Sequence, residues 1–283
     1  MKIGIIGAGV LGNTQKDWLL KNTNHEVLVY DVNQDKGNST LESIVRHALI
    51  FVLCLPTDAP EKGSLYAEGK YLRTGAIENT IAFIAKNKGD GRRAVVIRST
   101  VPLGFTRTLA EKYPDLQIYF VPEFLTEKTA TVDFANERTI TIGTANSFKD
   151  IPAVVALMGS KIFPATDFKI RKYEEAEMLK LATNSFYALK VTFANELADI
   201  CKKNGVNYGT LKNDLARNPR IGSHPADNQG ADVHLRIAQD GKAGYGGKCL
   251  TKDTRQLVET AKTSKAGFGL LKKVDEINTK IRK

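Results

Sequence analysis

The first 31 residues constrain the fold of this chain more than any other stretch. A continuous apolar run, Lys2–Ile6, leads directly into Gly7-Ala8-Gly9-Val10-Leu11-Gly12, and a helical stretch then leads to a second apolar run, His25–Tyr30, which ends on Asp31. Strand, GxGxxG, helix, strand and acidic residue, in this order, predict the first βαβ unit of a dinucleotide-binding domain. An open α/β domain that binds no nucleotide is the alternative.

The glycine loop and the acidic residue also indicate which dinucleotide would bind. The glycines let the backbone approach a pyrophosphate at the N-terminus of the helix, and Asp31, nineteen residues beyond Gly12, would accept hydrogen bonds from a ribose diol. A carboxylate there would repel a 2′-phosphate, so NAD is favoured over NADP. The predicted cofactor contacts in this part of the chain are Gly7, Gly9, Val10, Leu11, Gly12 and Asp31.

Further apolar runs predict that the sheet continues to about residue 165. They are Ile50–Leu55, Ala94–Arg98, Leu116–Val121, Thr139–Gly143 and Lys161–Pro164, with a helical pattern at Gly75–Lys88. The carboxyl ends of parallel strands face the ligand crevice, so Pro56, Thr57 and Thr100 are candidate cofactor contacts, although Thr100 could equally cap the next helix. Residues 1–165 are therefore predicted to form a Rossmann-like, NAD-binding domain.

Two carboxylates, Glu123 and Glu127, follow the Leu116–Val121 run. They are four residues apart, and they would share one face if that segment were helical. A solvated pair of surface charges is the default interpretation.

The pattern changes after residue 165. Glu174–Lys203 is a long amphipathic stretch without proline or glycine, and Thr254–Ala261 and Leu270–Ile281 also have helical patterns. Residues 166–283 are therefore predicted to form an all-α domain. Lys180 and Asn184 lie four apart on one face of the long helix, where they form either its solvent stripe or a site that faces a cleft.

A glycine-rich turn, Gly244–Gly247, delivers Cys249 between two lysines, just before a helical pattern that begins at Asp253. Nearby cations and a helix N-terminus favour a thiolate, so we expect a depressed pKa for this thiol. A small apolar residue in a tight loop is the alternative.

Composition excludes several classes of protein. The chain has 283 residues, 42% hydrophobic and 25% charged, with three separated cysteines and no apolar stretch near 18 residues. These features predict a globular protein of the reducing cytoplasm, without a disulfide framework, a metal site or a membrane span. The net charge of +10 is spread along the chain without interleaved aromatic residues, which indicates a basic face or a diphosphate ligand rather than nucleic acid.

Several spaced motifs, taken together, resemble the UDP-glucose/GDP-mannose dehydrogenase family, with its UDP-glucose-oxidising members nearest. The motifs are GAGVLG at Gly7–Gly12, Asp31, CLPT at Cys54–Thr57, RSTVPLG at Arg98–Gly104, PEFLTE at Pro122–Glu127, AEMLKLATNSFYALKVTFANE at Ala176–Glu196, PRIG at Pro219–Gly222 and DGKAGYGGKCLTKD at Asp240–Asp253.

The resemblance implies an NAD-dependent oxidation of a nucleotide sugar, UDP-glucose or a related UDP- or GDP-sugar, to the uronate in two hydride transfers. Cys249 would form a thiohemiacetal and then a thioester, Lys180 and Asn184 would stabilise oxyanions, and Asp253 would transfer protons with Lys180 and a water molecule. Glu127, beside Thr100 and Glu123, would activate the hydrolytic water. The implied cofactor contacts add Lys252, and the implied substrate contacts are Glu123, Phe124, Leu125, Glu127, Lys180, Asn184, Arg220, Tyr245, Gly246, Gly247 and Cys249.

The resemblance also implies a homodimer built on the long helix, with Arg220 reaching the substrate of the neighbouring subunit. Family members carry a second α/β domain after the cysteine helix, whereas only thirty residues follow Asp253 here. We therefore expect that a second polypeptide could supply that domain. Two alternatives stay open: a two-electron β-hydroxyacid-type dehydrogenase that uses a lysine without a thiol, and a non-catalytic NAD-binding or regulatory protein.

Overall fold

The structure, a computed structural model, describes residues 1–57, 72–89, 91, 93–145, 162–164, 167–218, 221, 233–238 and 240–282. The chain divides into two compact units: the first contains the described residues up to Lys180, and the second contains those from Leu181 onward. The domain boundary at residue 165 stays a prediction. The sheet of the first unit continues beyond that position, because its last strand follows it in the chain.

In the described residues, a sheet of seven strands forms the centre of the first unit. Its strands are β1 (Lys2–Ile6), β2 (Glu26–Tyr30), β3 (Ile50–Leu53), β4 (Arg93–Ile97), β5 (Leu116–Phe120), β6 (Thr139–Thr144) and β7 (Asp167–Lys172). Their order is β2-β1-β3-β4-β5-β6-β7, and neighbours are parallel except β5 and β6. The predicted α/β class with a Rossmann-type sheet is confirmed.

The described residues of this unit also form five helices that lie between its strands in the chain. They are α1 (Val10–Asn22), α2 (Leu41–His47), α3 (Gly75–Asn87), α4 (Phe105–Lys112) and α5 (Ala130–Asn136). Alternate residues of β3 enter different apolar clusters, with Ile50 and Val52 in one and Phe51 and Leu53 in the other. Because both faces of the sheet are buried, its strands are continuous apolar runs in the sequence.

One predicted strand, Lys161–Pro164, is wrong over the part that the structure describes. Residues 162–164 form no strand, and the last strand is β7. Ile162 and Phe163 are fully buried, and Phe163 packs 6.4 Å from Phe134 between ring centroids. The apolar run therefore marks contact with the core rather than strand pairing.

The second unit is helical in its described residues. The long helix α6 (Tyr173–Lys203) begins in the first unit and continues into the second, which also contains α7 (Tyr208–Arg217), α8 (Lys248–Thr263) and α9 (Gly269–Ile281). Its core includes Ala188, Val191, Tyr245 and Val274. No helix in the described part of the chain combines the length and the apolar character that a membrane span requires.

Helix α8 begins earlier than the sequence pattern predicted. The predicted start at Asp253 is wrong, because the helix already includes Lys248. Gly247, with φ +76° and ψ 178°, ends the preceding turn and lets the next residue enter the helix at once. Cys249 consequently lies in the first turn of α8, where backbone N–H groups have no partner within the helix.

Candidate active site

The glycine loop after β1 has the geometry that a pyrophosphate requires. Gly9 precedes the first residue of α1, and a Cβ added to it would meet no atom within 4 Å. A Cβ on Gly12 would instead collide with the backbone oxygen of Gly7, so the helix and the loop can approach each other only because residue 12 is glycine. The loop therefore leaves open space at the N-terminus of α1, where unpaired N–H groups and the helix dipole favour an anion.

Asp31, at the carboxyl end of β2, is fixed by two backbone N–H groups. Its Oδ2 accepts from Ala8 N at 2.7 Å, and its Oδ1 accepts from Asn33 N at 2.9 Å. Partial burial raises the pKa of this carboxyl, but these two hydrogen bonds and the charge of Lys36 outweigh burial and lower its pKa overall. The carboxylate therefore lies beside the open glycine loop, and its contact with the ribose of NAD stays a prediction.

The predicted contacts after β3 and β4 differ in exposure. Thr57 and Thr100 are buried, at 3% and 7% exposed, whereas Pro56 is exposed. The hydroxyl of Ser99 donates to Leu55 O at 2.6 Å and so links the two strand ends. Their roles as cofactor contacts stay predictions.

Lys180 is buried against Glu123 in the first unit. Its Nζ donates to the backbone oxygen of Glu123 at 2.5 Å and to Glu123 Oε1 at 3.0 Å, and it lies 5.2 Å from the ring centroid of Phe124. Burial raises the pKa of Glu123, but the Lys180 charge and the Leu125 N–H, at 2.7 Å from Oε2, outweigh it and lower the pKa overall. Lys180 is therefore part of an ion pair in a nearly dry environment.

Glu127 differs from Glu123 in exposure and in local structure. Residues 121–126 have no regular structure, and Glu127 is an exposed residue that opens a 3₁₀ turn, Glu127–Thr129. The segment after Pro122 is not helical, so the condition under which Glu123 and Glu127 would share a face is not met. The default interpretation, a solvated pair, holds for Glu127 but not for Glu123, whose carboxylate accepts from Leu125 N and pairs with Lys180.

Asp253 forms the centre of a polar cluster in the second unit. It is fully buried; Asn184 Nδ2 donates to its Oδ2 at 2.5 Å, and Lys252 Nζ donates to its Oδ1 at 2.8 Å. Cys249 lies one helical turn before Asp253 on α8 and is exposed. This unit therefore places a thiol at a helix N-terminus, one turn from a carboxylate held by an amide and an ammonium.

Burial distinguishes between the two interpretations of the polar pair, Lys180 and Asn184, on the long helix. Lys180 and Asn184 are 2% and 5% exposed, whereas Phe186 and Phe193 are 57% and 55% exposed. The polar pair is therefore not the solvent stripe of α6. Its two residues bind different carboxylates, Glu123 in the first unit and Asp253 in the second.

The remaining predicted substrate contacts lie in and near the glycine turn. Tyr245 is buried and belongs to the core of the second unit, Gly246 is half-buried, and Gly247 is exposed. Arg220 lies outside the described residues. Contact between this turn and a substrate stays a prediction.

Sequence reasoning missed the role of a buried carboxylate on α6. Glu177 is fully buried, and it accepts from Gly104 N at 2.6 Å and from Thr106 N at 2.8 Å, at the start of α4. It thereby fixes the end of the segment that contains Thr100. Its position one turn before Lys180 on a helix with many apolar residues was the available signal.

Two family models match this chain. The NAD-binding domain model of the UDP-glucose/GDP-mannose dehydrogenase family matches residues 36–158, and the central domain model of the same family matches residues 174–280. The chain belongs to the UDP-glucose/GDP-mannose dehydrogenase family. This membership confirms the predicted family, NAD as the cofactor and the class of NAD-dependent dehydrogenases.

Individual relatives agree with the family match. A UDP-glucose 6-dehydrogenase of Campylobacter jejuni is 28% identical over 286 residues, covering 91% of this chain and 67% of the relative. A solved UDP-glucose dehydrogenase of Pyrobaculum islandicum superposes with a TM-score of 0.79 at 21% identity, covering 99% of this chain and 68% of the other. Mycobacterium tuberculosis 3-hydroxyisobutyrate dehydrogenase shares the fold with a TM-score of 0.71 at 15% identity, and the match covers 99% of this chain and 92% of the other. The chain thus spans about two thirds of the Campylobacter relative, and nearly all of the Mycobacterium protein.

Proposed function

We propose that this chain oxidises the primary alcohol of a nucleotide sugar to a carboxylate, with UDP-glucose as the first candidate substrate. The observation that carries the proposal is the exposed Cys249 in the first turn of α8, one turn before the buried Asp253 that Asn184 and Lys252 hold. A thiol in that position suits the second of two successive oxidations, because an aldehyde must first become a tetrahedral adduct before it can lose hydride.

The first oxidation turns the alcohol into an aldehyde. NAD, when bound, accepts a hydride from the sugar carbon in each of the two oxidations. Asp253 takes the hydroxyl proton through a water molecule, in concert with Lys180, and the Lys180 ammonium and the Asn184 amide stabilise the developing alkoxide. The ion pair with Glu123, 3.0 Å between Lys180 Nζ and Glu123 Oε1, holds the Lys180 side chain in place.

The second oxidation uses the thiol. Cys249 Sγ bonds to the aldehyde carbon, the carbonyl oxygen takes a proton, and a thiohemiacetal results. Loss of the second hydride and of that proton leaves a thioester. Water, activated by Glu127 beside Thr100 and Glu123, then attacks the thioester carbon, and the C–S bond breaks to give the carboxylate and the free thiol.

The ratio of NADH formed to UDP-glucose consumed tests this scheme. The chain as it stands should give about two NADH per sugar, since each oxidation releases one hydride. Cys249→Ser should stop after the first oxidation and accumulate aldehyde. Cys201→Ser, at a buried position of the same unit, is the matched control. A Cys249→Ser variant that still forms two NADH per sugar would refute the thioester route.

A second candidate function is the oxidation of a β-hydroxy acid. It is favoured by the fold shared with 3-hydroxyisobutyrate dehydrogenase, 92% of whose length this chain covers, and by the buried Lys180. Such a reaction forms one NADH per substrate, and the thiol takes no part in it. Turnover of a β-hydroxy acid that is unchanged in Cys249→Ser would support this candidate over the first.

Two partners complete the proposal. Phe186, Phe193 and Ile200 lie seven residues apart on α6 and are 57%, 55% and 56% exposed, so they form an apolar stripe that suits a homodimer. Phe193→Asp should give monomers in light scattering if the dimer uses this face. As the second partner, we propose a polypeptide that supplies further contacts to the nucleotide.

A further inference from the structure

The glycine turn that precedes Cys249 is held by a buried asparagine of the C-terminal helix. Asn278, on α9, is 4% exposed. Its Oδ1 accepts from Tyr245 N at 2.7 Å, and its Nδ2 donates to Tyr245 O at 2.9 Å. The side-chain amide thus satisfies both backbone groups of one residue, as a neighbouring strand would.

A second asparagine holds the adjacent peptide group. Asn195, on α6, accepts from Gly244 N at 3.0 Å through its Oδ1, while its Nδ2 donates to Val191 O at 2.8 Å and so orients the amide. Three backbone polar groups of the turn, Gly244 N, Tyr245 N and Tyr245 O, are therefore bound by side chains from two helices. Buried groups of this kind cost about 1–3 kcal/mol each when they are left unpaired.

The close approach depends on Gly244. Its φ is +77°, and a Cβ built on it would collide with Asn278 Oδ1. The glycine therefore provides both the left-handed backbone and the space into which the asparagine inserts. This fit explains why a turn held so tightly is rich in glycine.

Helix α9 also holds α8 beyond the thiol. Arg255 Nε donates to both oxygens of Asp275, at 3.1 and 2.9 Å, and the Tyr245 hydroxyl donates to Asp275 Oδ1 at 3.3 Å. Cys249 thus lies between two points that α9 fixes, Tyr245 four residues before it and Arg255 six residues after it. A shift of the turn would displace the first turn of α8 and its thiol.

We propose that Asn278 is a positioning residue for Cys249: it holds the Tyr245 peptide and so sets where the thiol stands. This inference rests on the proposed function only in assigning the nucleophile to Cys249. The contacts that carry it all lie within the second unit, so reactivity of the thiol can be tested without any turnover of a sugar.

The experiment compares Asn278→Asp and Asn278→Ala with Thr279→Ala, the adjacent exposed residue of the same helix. The readout is the rate at which 2,2′-dithiodipyridine modifies Cys249 between pH 5 and pH 8, with Cys249→Ser subtracted for the other two cysteines. NADH affinity and the circular dichroism spectrum show whether each variant is folded. Turnover, measured separately with UDP-glucose, reports kcat and KM.

Asn278→Asp makes the test specific to hydrogen bonding. The ionised carboxylate can accept from Tyr245 N, but it has no hydrogen to donate to Tyr245 O. The protonated acid has an O–H group and can donate to Tyr245 O, as the amide of Asn278 does. Burial favours the protonated form, so the modification rate, relative to the unaltered chain, should recover as the pH falls towards 5. A residue with a merely structural role would give no such recovery.

At pH 8, the modification rate of Cys249 should differ from that of the unaltered chain in both Asn278 variants. The NADH affinity should stay within about twofold. The kcat should fall about 100-fold, because a misplacement of about 1 Å can have an effect of this size. Thr279→Ala should match the unaltered chain. Equal modification rates and pH profiles in all folded variants would overturn the inference. If no variant, nor the unaltered chain, oxidises UDP-glucose while the modification rates still differ, the proposed function fails and the positioning of Cys249 stands.

Discussion

Replacing Glu177 with glutamine should change stability in a direction that depends on pH. Burial raises the pKa of Glu177 from its ordinary 4.5 to about 7, although its hydrogen bonds from Gly104 N and Thr106 N act in the opposite direction. The folded protein therefore keeps a proton, between pH 4.5 and 7, that the unfolded chain has already lost. Since the folded state binds more protons, the free energy of unfolding falls as pH rises through this window.

The structure gives the magnitude. A carboxyl whose pKa rises from 4.5 to about 7 reduces the free energy of unfolding by about 3 kcal/mol once it is ionised in the folded protein. Glutamine carries no such charge, but its amide group can accept only one of the two backbone N–H bonds, which costs about 1–3 kcal/mol. Glu177→Gln should therefore be less stable than the unaltered chain at pH 5, and it should gain about 3 kcal/mol relative to that chain by pH 8.

Urea denaturation from pH 5 to pH 8 measures this difference. The single tryptophan, Trp18, lies in α1 of the same unit and packs against Phe134, so its fluorescence reports unfolding of the unit that contains Glu177. Glu137, whose pKa burial also raises to about 7, titrates in both proteins and cancels in the difference.

Glu174→Gln is the matched control. Glu174 lies on the same helix, and its bonds to Arg107, at 2.5 and 2.9 Å, lower its pKa. It is ionised in the folded and unfolded states above pH 5, so the stability gap of this variant should stay constant up to pH 8. The reasoning would be refuted if the difference in free energy of unfolding between Glu177→Gln and the unaltered chain did not change from pH 5 to pH 8. It would also be refuted if the variant became less stable relative to the unaltered chain as pH rises.

Three further outcomes follow from contacts in the two units. Gly12→Ala should sharply weaken NADH binding in a fluorescence titration, because its Cβ would collide with the carbonyl oxygen of Gly7. Gly75→Ala, where a Cβ has open space, should bind NADH as the unaltered chain does. Equal affinities of the two variants would contradict the role of Gly12 in shaping the loop. Asp31→Asn should narrow the preference for NAD over NADP, since it removes the charge that repels a 2′-phosphate, and binding titrations with both cofactors check this. Tyr208→Phe removes the hydroxyl that donates to Leu235 O at 2.6 Å, and it should lower the free energy of unfolding by about 1–3 kcal/mol in urea titrations.

Much of the first unit could be predicted from the sequence because its sheet is buried on both faces. Strands such as β1 and β5 are apolar throughout, and their predicted bounds differ from the observed ones by at most one residue. β7 was missed because its residues alternate between half-buried Phe168 and Ile170 and exposed charges, in a six-residue stretch with four charged side chains. Local pattern alone gives such a strand little signal.

The site could be predicted only as a set of residues, and not as a set of contacts. The motifs identified Lys180 and Asp253, but not that Lys180 binds Glu123, 57 residues earlier, or that Asp253 binds Asn184, 69 residues earlier. Those pairings are long-range tertiary contacts, and the spacing of residues within one helix carries no information on them. Asn278 had no signal at all, because a single asparagine in an amphipathic helix is ordinary.

Among the strands that the structure describes, β7 lies at one end of the order, and this position has a consequence for solubility. A terminal strand presents unpaired N–H and C=O groups, and these can recruit a strand from another molecule and start aggregation. Along β7, Lys169, Arg171 and Lys172 are exposed. Three of the four charged residues of β7 are cations and the fourth is Asp167, so two such edges brought together would each carry net positive charge and repel. The residues that made this strand hard to predict therefore also discourage the sheet from growing between molecules.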